Sequence, residues 1–177
     1  MATNAANVRS TVTGAIYFAP NGDNIPSTAT EALHVSYSDL GYVSSDGIES
    51  TLDKSTNAVY AMQNADKVLE RITEAGHTMS FTLLETTQAV VETYFGGTMV
   101  DGKIEVVPSA TTKGSFVIDI IDGDKAIRYV LPSAEVLSVE PQTFANGEPV
   151  SYGMTVTAFP VNGRTADVMF AEFEGES

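Results

Sequence analysis

The fold of this 177-residue chain is decided by residues 76–132, which read GHTMSFTLLETTQAVVETYFGGTMVDGKIEVVPSATTKGSFVIDIIDGDKAIRYVLP. Met79, Phe81 and Leu83 alternate with polar residues, as expected of a half-buried strand. A short amphipathic segment follows this strand. Further on, the Asp122-Gly123 pair separates two more alternating runs, which is typical of a tight hairpin. The order therefore predicts a strand, one helix and a β-hairpin.

The helix is predicted over residues 85–95. Thr86 or Thr87 can cap its start, and the acid Glu85 would lie near the positive end of the helix dipole. Gly96-Gly97 offers a left-handed stop. Apolar side chains gather on one side at helical spacing and predict a helix packing face laid on a sheet. The residues of this face are Val90, Val91, Tyr94 and Phe95.

The remainder of the chain is predicted as antiparallel strands, turns and loops in a single domain over residues 1–177, with a flexible N-terminal arm (1–11) and C-terminal tail (171–177). Runs rich in Val, Ile, Thr, Tyr and Phe alternate in the manner of strands. Residues 65–75 have helix-forming composition, but we interpret them as strand. Six dipeptides that tolerate positive φ predict turns between the runs: Asn21-Gly22, Asp46-Gly47, Asp101-Gly102, Asp122-Gly123, Asn146-Gly147 and Asn162-Gly163.

Two segments are too long for simple turns. Residues 19–31 hold two prolines and few apolar side chains. Residues 54–64 are predicted as an extended loop that carries Val59, Tyr60 and Met62 on an otherwise polar stretch. Exposed apolar side chains on a loop often contact a partner. The alternative is that these side chains fold back onto the core.

The chain offers few groups for catalysis. It contains no cysteine, which removes disulfides and thiolate zinc sites, and only two histidines. His77 is interpreted as a surface or turn residue rather than a base. No phosphate loop, dinucleotide motif or Gly-x-Ser-x-Gly is present, and Asp122-Gly123-Asp124 lacks the other ligands of a calcium loop. We therefore expect no enzyme, cofactor or metal site, and a role in binding or assembly.

Net charge and hydropathy limit the classes of partner that the chain is expected to bind. The formal net charge of −14 argues against ordinary binding to nucleic acid or to anionic membranes. The N-terminal residues lack a basic start and an apolar run, so a cleaved signal peptide is not expected. No apolar stretch approaches the roughly 20 residues that cross a bilayer, so no membrane-spanning segment is expected.

Several stretches, taken in their order along the chain, form one pattern. They are Gly14–Pro20, Ile25-Pro26, Leu40–Ile48, Phe81–Thr86, Tyr94–Gly96, Arg128–Val136 and Tyr152–Pro160. Together, over roughly residues 10–170, they resemble the major tail tube proteins of long-tailed bacteriophages with non-contractile tails. The long 19–31 segment departs from the family pattern.

The resemblance implies a mainly β fold, an antiparallel β-sandwich or partly open barrel with one flanking helix. It further implies a structural virion protein whose hexameric rings stack into a hollow tube that delivers phage DNA without binding it specifically. Expected partners are further copies of the chain, the tape measure protein, the tail terminator and baseplate or distal tail proteins. The expected location is the phage tail, after synthesis in the bacterial host cytoplasm.

The same analogy suggests roles for individual residues. The 54–64 segment would reach the adjacent ring, and its candidate contacts are Lys54, Val59, Tyr60, Met62 and Asn64. A negative channel wall would repel DNA phosphates. Candidate acids for the wall are Glu49, Asp53 and Asp119, and for each of them the outer surface is the alternative location.

Two other classes stay open at this level. A tube subunit of a contractile tail or of type VI secretion would share the architecture. A secreted carbohydrate-binding β-sandwich would call for a signal sequence and exposed aromatic residues, and the sequence predicts neither.

Overall fold

In the computed structural model of the protein, the structure describes residues 8, 10–20, 22, 24–62 and 64–172. Over these residues the chain is built from strands and one helix. In chain order they are β1 (Thr13–Ala19), β2 (Ser38–Asp39), β3 (Val43–Tyr60), β4 (Lys67–Leu83), α1 (Gln88–Phe95), β5 (Met99–Val100), β6 (Lys103–Ile104), β7 (Lys113–Asp122), β8 (Lys125–Val139), β9 (Tyr152–Ala158) and β10 (Asp167–Glu172).

One antiparallel sheet of eight strands organises the domain. Its order is β2-β1-β7-β8-β9-β4-β3, and β10 pairs with the first part of β8, beyond the part that β9 covers. The sheet curls until Ile48 of β3 lies beside Gly14 of β1, where an added Cβ would lie 3.4 Å from Ile48 Cδ1. No ladder joins β1 to β3 in the described residues, so the sheet is not closed into a barrel. The predicted mainly β class with one helix is confirmed.

The concave side of the sheet encloses the main core. Alternate residues of five strands meet there, as the period of two requires. The core side chains of β4 are Met79, Phe81 and Leu83, as the alternation predicted. Fully buried members include Ile16, Leu40, Met79, Leu83, Val90, Phe116, Ile118, Leu131, Met154 and Val156.

Helix α1 is three residues shorter at its start than predicted. Thr87 is the N-cap, and its Oγ1 accepts a hydrogen bond from the Val90 N–H at 3.3 Å. Glu85 lies outside the first turn and instead accepts from the Tyr42 N–H at 3.1 Å, which ties the helix entry to β3. Gly96, with φ 70°, ends the helix in the left-handed conformation that glycine adopts freely.

The predicted packing face of the helix meets the core. Val90 and Val91 belong to the buried cluster, and Tyr94 and Phe95 pack against it. The centroids of the Tyr94 and Tyr152 rings are 5.4 Å apart, and the two rings meet edge to face. Its hydroxyl donates to the Glu140 carbonyl oxygen at 2.5 Å. The helix therefore covers the end of the sheet where β4 finishes and β9 begins.

The predicted hairpin is confirmed, with Asp122 opposite Lys125 across the two-residue turn Gly123-Asp124. Asp101-Gly102 likewise joins β5 to β6, with both residues at positive φ. One predicted turn is wrong. Asp46-Gly47 lies within β3, where the pairing with β4 is irregular between Val43 and Ile48. The positive φ of Gly47 therefore belongs to a β-bulge and not to a hairpin turn.

Two further segments differ from expectation. Residues 54–60, predicted as loop, continue strand β3, whereas the strand interpretation of 65–75 is confirmed for 67–75 in β4. The expected arm (1–11) and tail (171–177) lie mostly outside the described residues. Where they are described, the Ser10 N–H donates to Asp122 Oδ2 at 2.8 Å, and β10 runs through Ala171 to Glu172.

Val90 anchors the helix, because it is fully buried. We expect Val90→Ala to lower the free energy of unfolding by roughly 1–3 kcal/mol through lost burial and a small cavity. Gln88→Ala, on the exposed side of the same helix, is the matched control and should stay within about 0.5 kcal/mol of the unmodified protein. Urea unfolding followed by circular dichroism measures both. Equal losses for the two variants would contradict the packing described here.

Candidate assembly surfaces

The longest strand pair projects beyond the rest of the sheet. β3 and β4 stay paired as far as Tyr60 and Lys67, but β9 covers β4 only from His77 to Leu83. The outer parts, Asp53–Tyr60 and Lys67–Ala75 with the turn between them, form what we call the distal ribbon. Eight extended residues span about 26 Å at roughly 3.3 Å each. The ribbon is therefore a two-stranded arm with no strand on either side in the described residues.

Large apolar side chains are exposed along this arm. Met62, in the turn, is 98% exposed, and Tyr60 is 61% exposed. Val59 lies directly opposite Leu69, while Ile72 lies opposite Thr56 on the other face. Both faces of the ribbon therefore carry unburied apolar groups: Leu52 at its base, then Val59, Tyr60, Met62, Val68, Leu69 and Ile72.

The predicted contact residues all lie on the distal ribbon. Lys54, Val59, Tyr60, Met62 and Asn64 are exposed. The alternative that the apolar members fold back onto the core is therefore wrong. Asn64 has φ 56° and helps to turn the chain between the two strands. The structure leaves their function untested, and their role in ring stacking stays a prediction.

Two of the three predicted wall acids share a surface. Ser50 lies opposite the core residue Met79, so its neighbours Glu49 and Thr51, and with them Asp53, face away from the core. Their cross-strand partners on β4, β9 and β8 are also polar. We call this surface the polar outer face; it consists of Glu49, Thr51, Asp53, Thr78, Ser80, Thr155, Thr157 and Glu135.

Asp119, the third predicted acid, is not on that face. Its side chain is 13% exposed and forms a two-pronged ion pair with Arg128, from Nε to Oδ1 and from Nη2 to Oδ2, each at 2.7 Å. The carboxylate holds the pKa of Arg128 above its usual value by accepting these hydrogen bonds. Asp119 is therefore a neutralised, buried group, and we leave it out of the wall.

Arg128 also holds part of the long 19–31 segment in place. Its Nη1 donates to the Thr28 and Glu31 carbonyl oxygens at 3.1 and 2.7 Å. Within that turn, Ser27 donates to the Glu31 carboxylate and lowers its pKa. Residues 24–37, which we call the strap, thus lie across the convex side of the sheet. They cover a second apolar cluster made of Ala19, Tyr37, Val117 and Val130, with Ile25 and Leu33 packed on it.

His77 marks the base of the ribbon. It is only 4% exposed, so the expectation of a surface or turn residue was wrong. Its Nε2 lies 3.1 Å from Ser50 Oγ on the paired strand, and burial lowers its pKa below the usual range. It is the first residue of β4 that β9 covers, directly inside the point where the ribbon leaves the sheet.

Sequence reasoning missed the polar outer face and the role of Arg128. The Ser and Thr residues that alternate with the core residues of β4 and β9 were a readable signal for the former. The described residues hold no group of three or more potential metal ligands. Within that same part of the chain, no helix is long and apolar enough to cross a membrane.

The buried His77 predicts an acid-sensitive stability. The unfolded chain binds a proton at this residue near pH 6.5, whereas the folded chain binds it only at lower pH. Below about pH 6.5 the unfolded state therefore binds more protons than the folded state, and the free energy of unfolding falls as the pH falls. The contribution of neutral His77 to this free energy is complete above about pH 6.5 and is lost at lower pH, by at most about 1.4 kcal/mol per pH unit. Urea unfolding between about pH 7.5 and about pH 5.5 should show His77→Gln losing less stability than the unmodified protein. Equal losses would contradict the buried, neutral histidine.

The Asp119–Arg128 pair predicts a large cost for breaking it on one side. Arg128→Met leaves a buried carboxylate without a partner and removes the two hydrogen bonds from Nη1 to the strap, so we expect about 3–5 kcal/mol of lost stability. Arg164→Met is the matched control, because Arg164 pairs with Asp167 at 3.2 Å on the surface, and it should cost no more than about 1 kcal/mol. Urea unfolding compares the two variants. A similar, small effect for both would show that the buried pair does not hold the strap.

A family model described as phage tail tube protein matches residues 1–170. Comparison with curated protein sequences gives no match. Among solved structures, the chain is similar to one from the virion of a native gene transfer agent particle, with 10% identity, 96% of this chain and 99% of that chain covered, and a TM-score of 0.45.

Two further solved structures have a similar degree of likeness. One is the baseplate of the anti-feeding prophage, with 13% identity, coverage of 98% and 99%, and a TM-score of 0.45. The other is the PVC sheath-tube complex of an extracellular contractile injection system, with 9% identity, coverage of 97% and 99%, and a TM-score of 0.47. At such values these neighbours carry no functional argument, and the assignment depends on the family model. This chain belongs to the phage tail tube protein family.

Proposed function

We propose that this protein is the non-enzymatic subunit of a phage tail tube, in which rings of six copies stack into a hollow conduit for DNA. Membership of the tail tube family carries the general role. The distal ribbon supports stacking, because an arm about 26 Å long with exposed apolar side chains on both faces is suited to burial by another subunit. Burial of these groups would supply the driving force for assembly.

Open sheet edges support closure into rings. The outer edges of β3, β2 and β10 have no neighbouring strand in the described residues. Unpaired edges favour pairing with another chain. A cyclic arrangement can pair one edge of each copy with another edge of the next and ends after a fixed number of subunits, which converts uncontrolled pairing into a closed assembly.

The polar outer face is the surface that we assign to the channel wall. Its residues carry three carboxylates, Glu49, Asp53 and Glu135, among hydroxyl side chains, and Lys113 of β7 borders it, opposite Glu135. Such a net negative wall repels phosphates. A ring of six would repeat each carboxylate six times around the channel. DNA would then pass without specific binding.

The finer assignment follows from the family resemblance of the sequence. We propose a tube of the long, non-contractile type, bounded by tail terminator and distal tail proteins and filled by a tape measure protein during assembly. A tube of this type functions without a surrounding sheath. Particles carrying this subunit should therefore show tails of constant length and width by electron microscopy, and a tail that shortens inside a contracted sheath would assign the subunit to the contractile type.

Self-assembly of the purified protein tests the proposed function. Raising its concentration should give hollow filaments on the order of 100 Å wide, the size expected of six small domains around a pore. Replacing residues 55–74 with Asn-Gly should abolish the filaments. Lys54 lies opposite Ala75, so a two-residue turn can join them without disturbing the rest of the sheet. Negative-stain microscopy reads the outcome.

Two controls make this test specific. The shortened protein should keep the circular dichroism spectrum and the unfolding midpoint of a folded domain, since its core residues are unchanged. Val35→Asp, at a residue that is 94% exposed on the strap, should still form filaments. A protein that stays monomeric at all concentrations, even with the tail-initiation proteins of its phage, would overturn the tube assignment. Normal filaments from the shortened protein would show that the ribbon is not needed for assembly.

A further inference from the structure

The turn at the end of the distal ribbon carries a side chain that can be oxidised. The chain contains six methionines, and five of them lie in the described part of the sequence. Met62 is 98% exposed in this turn, whereas Met79 and Met154 are each 1% exposed in the core. Met99 and Met169 are half-buried and pack on the two apolar clusters. Among the described methionines, Met62 alone therefore presents a fully uncovered thioether to solvent.

A thioether sulfur reacts with hydroperoxides by transfer of one oxygen atom. The sulfur lone pair forms a bond to one oxygen of hydrogen peroxide, and the O–O bond breaks. The other oxygen leaves as hydroxide and takes the proton of the transferred oxygen to form water. The sulfur is thus oxidised by two electrons to a sulfoxide, and the peroxide is reduced. Because hydrogen peroxide is uncharged, the net charge of −14 does not repel it.

The turn around Met62 is held by the backbone and does not need the methionine side chain. The Ala61 N–H donates to the Asp66 carbonyl oxygen at 2.8 Å. Asn64 and Ala65 reverse the chain with φ of 56° and 54°. A sulfoxide on the exposed side chain leaves these features unchanged, whereas a sulfoxide on a core methionine would bury a polar oxygen. Oxidation at Met62 is therefore compatible with a folded domain.

The added oxygen would nevertheless change the chemistry of the surface around it. Tyr60 and Val68 are each 61% exposed near the same turn, and Val59 and Leu69 are exposed beside them. Apolar side chains of this kind stabilise a contact by losing their water. A sulfoxide oxygen holds its water and resists burial unless the partner supplies a hydrogen-bond donor. Oxidation of Met62 thus makes the end of the ribbon polar while the fold is kept.

We propose that Met62 is an oxidation site through which hydroperoxides keep free subunits folded but unable to assemble. This inference rests on the proposed tube function, because it takes the ribbon to be buried between copies. The same burial would cover the Met62 sulfur. Assembly therefore protects this methionine from oxidation, and the oxidised methionine opposes assembly.

Peptide mapping tests the site without any need for assembly. Free protein is exposed to dilute hydrogen peroxide, digested and analysed by mass spectrometry over time. Sulfoxide should form at Met62 at least about tenfold faster than at Met79 and Met154, which react only after local opening. It should also form there before Met99 and Met169 react. Circular dichroism and urea unfolding of the singly oxidised protein should match the untreated protein. Equal rates at Met62 and Met99 or Met169, or loss of the fold, would overturn the proposal.

Filament formation tests the consequence. Protein oxidised at Met62 should need a concentration at least about tenfold higher to form filaments, equivalent to roughly 1.4 kcal/mol per subunit. Reduction of the sulfoxide to the thioether, by methionine sulfoxide reductases for both epimers with a dithiol as reductant, should restore the original concentration. In preformed filaments, Met62 should be oxidised more slowly than in free subunits by a similar factor. The same rate in both states would overturn the proposed protection.

Two variants provide the controls. Met62→Leu keeps an apolar side chain of similar size and has no sulfur. It should form filaments at the concentration of the unmodified protein, both before and after peroxide treatment. Met62→Gln places a polar amide at the same position and should assemble as poorly as the oxidised protein. If peroxide blocks assembly of Met62→Leu as well, the sensitive group lies elsewhere and the proposal is overturned.

The outcomes separate this inference from the proposed function. If the untreated protein forms filaments and the protein oxidised at Met62 forms them equally well, the tube function is supported and this inference alone is overturned. If the untreated protein forms no filaments at any concentration, the tube function fails and the control of assembly fails with it. Loss of filaments on oxidation, with recovery on reduction and resistance in Met62→Leu, is the result that the proposal predicts.

Discussion

The architecture depends on the unequal lengths of two neighbouring strands. β9 pairs with β4 over seven residues, from His77 to Leu83, whereas β3 pairs with β4 almost along its whole length. The outer part of this pair therefore has no sheet beneath it. An isolated two-stranded ribbon is marginally stable in water. Here it also exposes apolar side chains on both faces. In the proposed tube, burial of the ribbon by another copy would supply the stabilisation that the monomer lacks.

Much of the fold could be predicted because one side of each strand is buried. The alternation of Met79, Phe81 and Leu83 follows from the core, and the helix stop at Gly96 follows from its backbone. Residues 54–60 could not be predicted as strand in the same way. Both faces of the ribbon meet solvent in the monomer, so no period of two is imposed on its side chains, and a polar stretch then resembles a loop.

The Asp119–Arg128 ion pair depends on the register of the hairpin to within one residue. The turn was correctly predicted at Asp122-Gly123, but its central residues are Gly123 and Asp124. With Asp122 opposite Lys125, Asp119 falls opposite Arg128; a turn centred one residue earlier would separate them. The ion pair, and the strap that Arg128 holds, could therefore not be predicted without the register of the hairpin.

Hydrogen–deuterium exchange on free and assembled protein tests most directly whether the distal ribbon is buried between copies. The account predicts that backbone amides of the ribbon, residues 53–62 and 64–75, become protected on assembly. Amides of the strap, residues 24–37, should exchange at the same rate in both states. Unchanged exchange of the ribbon amides in protein that has formed filaments would contradict the account.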